Sequence, residues 1–140
     1  MSEIREISLP SRLESVDEAA TIADEFAKRQ SLDDEFISAI DLAIRESVAN
    51  AVKHGNKLDE SKNVNVTLSD SAQQFEITVR DFGSGFDVET IADATAPENL
   101  LKTNGRGILF MRSFMDEVEW SNAVDGGLIV RMSKSKGEKG

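Results

Sequence analysis

The 140-residue chain has no cysteine. Disulfides and thiolate metal sites therefore play no part in its fold or chemistry. It also lacks any apolar run approaching the roughly 18 residues of a membrane span. Its first residues, MSEIREISLPS, lack the apolar core of a secretory signal. A cytoplasmic protein is the expectation. Basic residues are in deficit, with 16 Lys and Arg against 26 Asp and Glu and a formal net charge of −10. That balance speaks against an extended surface for nucleic-acid phosphates. It leaves room for a small phosphate site built from backbone N–H groups, a metal ion and one or two local cations.

What is present suits one globular domain. Hydrophobic residues make up 39% of the chain and charged residues 30%, enough apolar surface for a single core. Residues 1–134 are read as that domain and 135–140 as a polar tail, with the polar run from Ser133 expected to fray.

The apolar pattern alternates briefly over REISLPS and stops at Pro10, as in a short edge strand. From Leu13 to Arg29 it turns helical: Val16, Ala19, Ala20, Ala23, Phe26 and Ala27 recur at spacings of three and four. Ser15 or Asp17 is the expected cap. A second helix is predicted after Ser31, with Asp33, Asp34 and Glu35 at its dipole-positive start and Phe36, Ile40, Ile44 and Ala51 as its buried stripe. It should run to about His54 and end on Gly55 as a left-handed cap. NVNVTLSD and QFEITVRD alternate cleanly around DSAQ and predict an antiparallel hairpin. A last hairpin is predicted from EVEWSNA and LIVRMS around Asp125, Gly126 and Gly127. The sum is about five strands in one sheet with helices on one face. Between these parts, residues 87–104 form a long stretch without a period, the kind of loop that usually serves function. A helix is predicted to start near Gly107.

Three short motifs carry the chemistry, in the order ESVANAVKHGN from Glu46, DFGSG from Asp81 and NGRG from Asn104. Glu46 and Asn50 project within about 40° of each other on a helix, at the border of its apolar stripe. An amide oxygen there can ligate Mg²⁺, and a carboxylate one turn away can accept a proton from an attacking hydroxyl. Asp81 ends an apolar strand. As a pure acceptor it can take a hydrogen bond from the amino group of adenine, where guanine would present an opposing carbonyl. Gly83 and Gly85 let main chain pass close to a flat base. Gly105 and Gly107 flank Arg106 at a helix start, where free N–H groups favour phosphate. Each motif has an ordinary reading on its own: a solvated helix face, a turn at a strand end, a loop before a helix. His54, the single histidine, reads on its own as a partner for the helix C-terminal dipole.

Together the motifs resemble the GHKL ATPase superfamily of gyrase, Hsp90, MutL and the histidine kinases. The N box is matched by Glu46 and Asn50, and the two glycine boxes by Asp81, Gly83 and Gly85 and by Gly105 and Gly107. The wording of ESVANAVKHGN, DFGSGFD and GRGILFMRSFMDEV is similar to the anti-sigma-factor serine/threonine kinases within it. The resemblance spans about Ile7 to Met132. It implies a Bergerat-type α/β (α+β) two-layer sandwich with a mixed, mostly antiparallel sheet. It implies ATP and Mg²⁺ as cofactors, Glu46 as general base, Asn50 as metal ligand and Asp81 on the adenine amine. Lys53, His54, Gly83, Gly85, Phe86, Gly105, Arg106, Gly107 and Ile108 complete the implied nucleotide site, with residues 87–104 as its lid. The implied substrate is a serine or threonine of a STAS-fold anti-anti-sigma protein, with a sigma factor as a second partner, no nucleic acid or membrane contact, and a homodimer as the working form. The chain departs from the family where a threonine pair often follows the glycine of the last strand: Leu128 and Ile129 follow Gly127. Two other readings use the same motifs. One is an ATP-responsive binding module without turnover. The other is a histidine-kinase catalytic domain, which would need a phospho-accepting histidine besides His54.

Overall fold

The computed structural model describes residues 3–83, 115–124 and 126–136. Strand β1 spans Glu3–Pro10, helix α1 Glu14–Arg29 and helix α2 Asp34–Asn50. A π-helical turn, Ala51–Gly55, continues α2. Strands β2 (Asn63–Asp70), β3 (Gln74–Arg80), β4 (Glu117–Asn122) and β5 (Leu128–Ser135) follow. The sheet order is β1-β2-β3-β5-β4, and all four described pairings are antiparallel. The edge position foreseen for the first strand holds. The strand latest in sequence, β5, lies inside the sheet.

Alternation explains the layering. Val64, Val66 and Leu68 of β2, Phe75, Ile77 and Val79 of β3, and Val130 and Met132 of β5 are buried on one face. The register aligns them in rows: Leu68 opposite Ile77 and Ile77 opposite Met132, then Val66 opposite Val79 and Val79 opposite Val130. The intervening residues, among them Thr67, Thr78 and Arg131, point to the other, more exposed face. Both helices lay their apolar stripes on the buried face and join the strands in one core. Phe75 fastens the layers. Its ring meets Phe26 of α1 at 5.8 Å and Phe36 of α2 at 6.3 Å, both edge-on, the arrangement aromatic quadrupoles favour. No described helix is long and apolar enough to cross a membrane.

Several local expectations are corrected. Neither Ser15 nor Asp17 caps α1. Ser15 is buried and donates to the Pro10 carbonyl at 2.7 Å, while Leu13 stands at the cap position without a side-chain bond. Asp33 does cap α2, accepting from the Phe36 N–H at 2.8 Å, a device worth about 1 kcal/mol. The second helix keeps α geometry only to Asn50. Gly55 is not left-handed: the described positive-φ glycines are Gly126 and Gly127, and the turn after the helix places Lys57 and Leu58 at φ 53° and 62°. The polar run from Ser133 begins inside β5, with Ser133 buried and Lys136 paired to Asp70 at 2.8 Å.

Candidate functional site

Glu46 and Asn50 lie one turn apart on α2, both half-buried, at the border between core and surface that their spacing predicted. Among the described residues neither side chain has a hydrogen-bond partner. Lys53 and His54 stand exposed on the π-helical turn beyond them.

That turn brings the first motif against the second. Asp81 follows β3 directly and is 2% exposed. Its N–H donates to the Leu128 carbonyl at 3.0 Å. Its Oδ1 accepts from the N–H groups of Gly83 and Leu128, each at 3.0 Å. Its Oδ2 lies over Gly55, so closely that a Cβ there would overlap it and sit 3.0 Å from the Asp81 Cβ. Gly55 is thus a glycine because of a neighbour 26 positions away, not because of its own backbone angle. Gly83 packs likewise on Gly55, where an added Cβ would overlap the Gly55 carbonyl oxygen. Gly127, at φ 96°, packs on the Asp81 carbonyl. Three close main-chain approaches, each needing glycine, press the helix end, the Asp81 turn and the start of β5 together. Leu128, at the place where the family often has a threonine, reaches Asp81 through its N–H and C=O, while its side chain packs on the core.

A residue not singled out from sequence completes the junction. Asn56 is 2% exposed. Its Oδ1 accepts from the Phe82 N–H at 2.8 Å. Its Nδ2 donates to Ser11 Oγ at 2.7 Å and to the Asn63 carbonyl at 3.1 Å. Ser11 Oγ in turn donates to the Lys62 carbonyl at 2.6 Å. On the other side, the Arg80 guanidinium sits 4.4 Å from the Phe82 ring centroid, a cation–π contact. The signal available in sequence was the position of Asn56 right after Gly55, but a polar residue past a helix end ordinarily faces water.

A second group of charges lies between α1 and α2. Arg45 bridges Asp17 at 2.6 Å and Asp41 at 3.0 Å. Burial, then the charge of Asp41 and a hydrogen bond to it, push the Asp24 carboxyl above its ordinary range, with Lys28 and Arg45 opposing.

The donor set suits a hard cation on sparse protein ligation. Among the described residues no group of three or more His, Cys, Asp or Glu could hold a metal. An ion here would rest on the Asn50 amide with phosphate oxygens and water, the usual habit of Mg²⁺. Gly85, Phe86, Gly105, Arg106, Gly107, Ile108 and the loop 87–104 lie outside the described residues.

The model of the histidine kinase-like ATPase domain matches residues 9–134. The chain belongs to this family. Among curated proteins, this ATPase domain is 29% identical to the serine-protein kinase RsbW of Oceanobacillus iheyensis, over 92% of this chain and 84% of that protein. It is 35% identical to the anti-sigma F factor of Clostridium perfringens, over 71% of this chain and 73% of that protein. These place the ATPase domain in the branch of anti-sigma-factor serine/threonine kinases. By that membership it is an ATP-using enzyme of the protein kinase class. Among solved structures, the RsbU and RsbW domains of a Mycobacterium tuberculosis protein superpose with a TM-score of 0.70 at 18% identity, over 94% of this chain; the chain spans 31% of that longer one. The catalytic domain of the histidine kinase ThkA gives 0.61 at 17% identity, over 96% of this chain and 97% of that one. Both support the two-layer fold.

Proposed function

We propose that the chain is a Mg²⁺-ATP-dependent kinase that phosphorylates a serine or threonine of a STAS-fold anti-anti-sigma protein, binds a sigma factor as its second partner, and works as a cytoplasmic homodimer. The observation that carries the nucleotide half of this reading is the one-sided commitment of Asp81. Two main-chain donors occupy Oδ1, so Oδ2 is the atom to meet the adenine amine. The carboxylate adjoins the end of the helix that bears Glu46 and Asn50. Adenine at Asp81 therefore directs the phosphates toward that helix, and the family resemblance adds Gly105, Arg106 and Gly107 to the phosphate site and residues 87–104 as its lid.

In the reaction the substrate hydroxyl oxygen bonds to the γ-phosphorus, the bond from γ-phosphorus to the bridging oxygen breaks, and ADP leaves. Glu46 accepts the hydroxyl proton. Asn50 would hold the Mg²⁺, which neutralises phosphate charge as it redistributes. Phosphoryl transfer asks for positioning and charge stabilisation more than covalent help, and the site offers those.

The test is transfer from γ-labelled ATP to a purified STAS-domain partner. Native protein should label a serine or threonine. Glu46→Gln should bind ATP within about threefold of native and lose transfer by at least about 100-fold, the scale of a general base. Unchanged transfer in that variant would remove Glu46 from its role. A stable ATP-dependent complex without label would favour the binding-module reading.

A further inference from the structure

The geometry points to Asn56 as the positioning residue that aims the purine-reading carboxylate. This inference rests on the nucleotide reading above and assigns a role to the last residue of the ESVANAVKHGN stretch, which the resemblance leaves without one.

Three hydrogen bonds fix the Asn56 amide. Both Nδ2 protons are used, on Ser11 Oγ and the Asn63 carbonyl, and Oδ1 takes the Phe82 N–H. A flipped amide would set Nδ2 donors against the Phe82 N–H, so only one orientation is stable. The acceptors on the far side are rigid. Ser11 Oγ is itself held by the Lys62 carbonyl, and Asn63 begins β2. The amide therefore transmits a position fixed by the junction of β1 with α1 and the start of β2.

That position is delivered to the peptide unit linking Asp81 and Phe82. Phe82 N–H is the first amide after Asp81, and Gly83 N–H, the next, binds Asp81 Oδ1. With Phe82 anchored to Asn56 and Gly83 anchored to the carboxylate, the turn cannot rotate without breaking a buried bond. Oδ2 then faces one way. Asn56 lies six positions after Asn50 and one after Gly55, on the segment that continues α2. One stretch of chain thus carries the proposed metal ligand and the group that sets the base reader. The spacing between base and phosphate subsites is fixed through Asn56.

The consequence is selectivity. ITP carries a carbonyl where ATP carries the amine, and it probes Asp81 without altering sugar or phosphates. Native protein should prefer ATP by about 10–100-fold, the range of a hydrogen bond to a charged group. In Asn56→Ala the preference should fall to within about threefold of unity, chiefly by weakened ATP binding, while ITP binding stays within about threefold. A role confined to stability would move the unfolding midpoint and leave the ATP-to-ITP ratio of the folded fraction intact, and a native-like ratio in Asn56→Ala overturns the inference. Should Asn56→Ala show no cooperative unfolding transition, Ser11→Ala decides. It removes the Oγ that receives Asn56 Nδ2 and leaves Asn56 and Asp81 in place, so the ratio should fall by at least about threefold; a native-like ratio in Ser11→Ala overturns the inference. Native protein that binds ATP and ITP equally would refute the Asp81 reading instead. In that case amide hydrogen exchange of nucleotide-free native protein still tests the anchor. A Phe82 N–H exchanging at the rate of the β3 core amides supports it, and exchange as fast as an open turn refutes it.

Discussion

Gly55→Ala sets two physical effects of opposite sign against each other. Gly55 has no positive φ, so on backbone grounds alone alanine should stabilise by about 0.4–1 kcal/mol through the unfolded chain. Space argues the other way. The new Cβ would overlap Asp81 Oδ2 and stand 3.0 Å from the Asp81 Cβ. A flexible surface carboxylate would swing aside. This one is buried, with Oδ1 held by two N–H groups, and moving it disturbs at least one bond to a charged acceptor, worth about 1.5–3 kcal/mol. The net expectation is a loss of about 1–2 kcal/mol. With a urea slope of about 2 kcal/mol/M, the midpoint should fall by about 0.5–1 M. The single tryptophan, Trp120 on β4, offers a fluorescence readout. The decisive control is the same substitution in an Asp81→Gly background, where the obstacle is gone and alanine should become neutral or stabilising. A midpoint at or above native in the single variant, or an equal loss in both backgrounds, would refute the packing argument.

Asp81→Asn should keep the fold, because an amide oxygen can still receive the Gly83 and Leu128 N–H groups. It places an NH₂ where Oδ2 was, so ATP should weaken by about 10–100-fold and ITP should gain; titration calorimetry with both nucleotides checks this, and a retained ATP preference would count against Asp81 as base reader. Asp24→Asn should raise the melting temperature at neutral pH. The native carboxyl titrates above its unfolded value of 3.8, so the folded state holds the proton more firmly and the group's favourable contribution is lost as pH rises through its native pKa. The gain from asparagine should therefore be largest near pH 7.5 and shrink on acidification toward pH 4. A gain that grows on acidification would overturn the assignment.

How far the sequence alone could reach depended on the range of each interaction. The helices and the β2–β3 hairpin were legible because their signals are periodic and local: Phe36, Ile40 and Ile44 on one stripe, Val64, Val66 and Leu68 on one face. The placement of Glu46 and Asn50 one turn apart on α2, and of Asp81 at the end of β3, was legible because spacing and alternation are local signals. The misreadings share a cause in contacts remote along the chain. Gly55 resembles a left-handed cap, yet it is small to admit Asp81. Ser15 resembles a cap, yet it turns inward to the Pro10 carbonyl. Asn56 drew no expectation from sequence, and its amide is held by Ser11, Asn63 and Phe82. The π-helical turn belongs with these, since it seats Gly55 and Asn56 on the Asp81 turn.

The order of strands has a consequence for biogenesis. β5 pairs with β3 on one side and β4 on the other, and Asp81 is latched by Leu128, 47 positions downstream. A ribosome delivers these partners after the other three strands. While the chain is growing, β3 exposes an unsatisfied edge and Asp81 lacks two of its main-chain contacts. Nascent protein should therefore be unable to read adenine until β5 has emerged, so that competence for the nucleotide arrives in one late step.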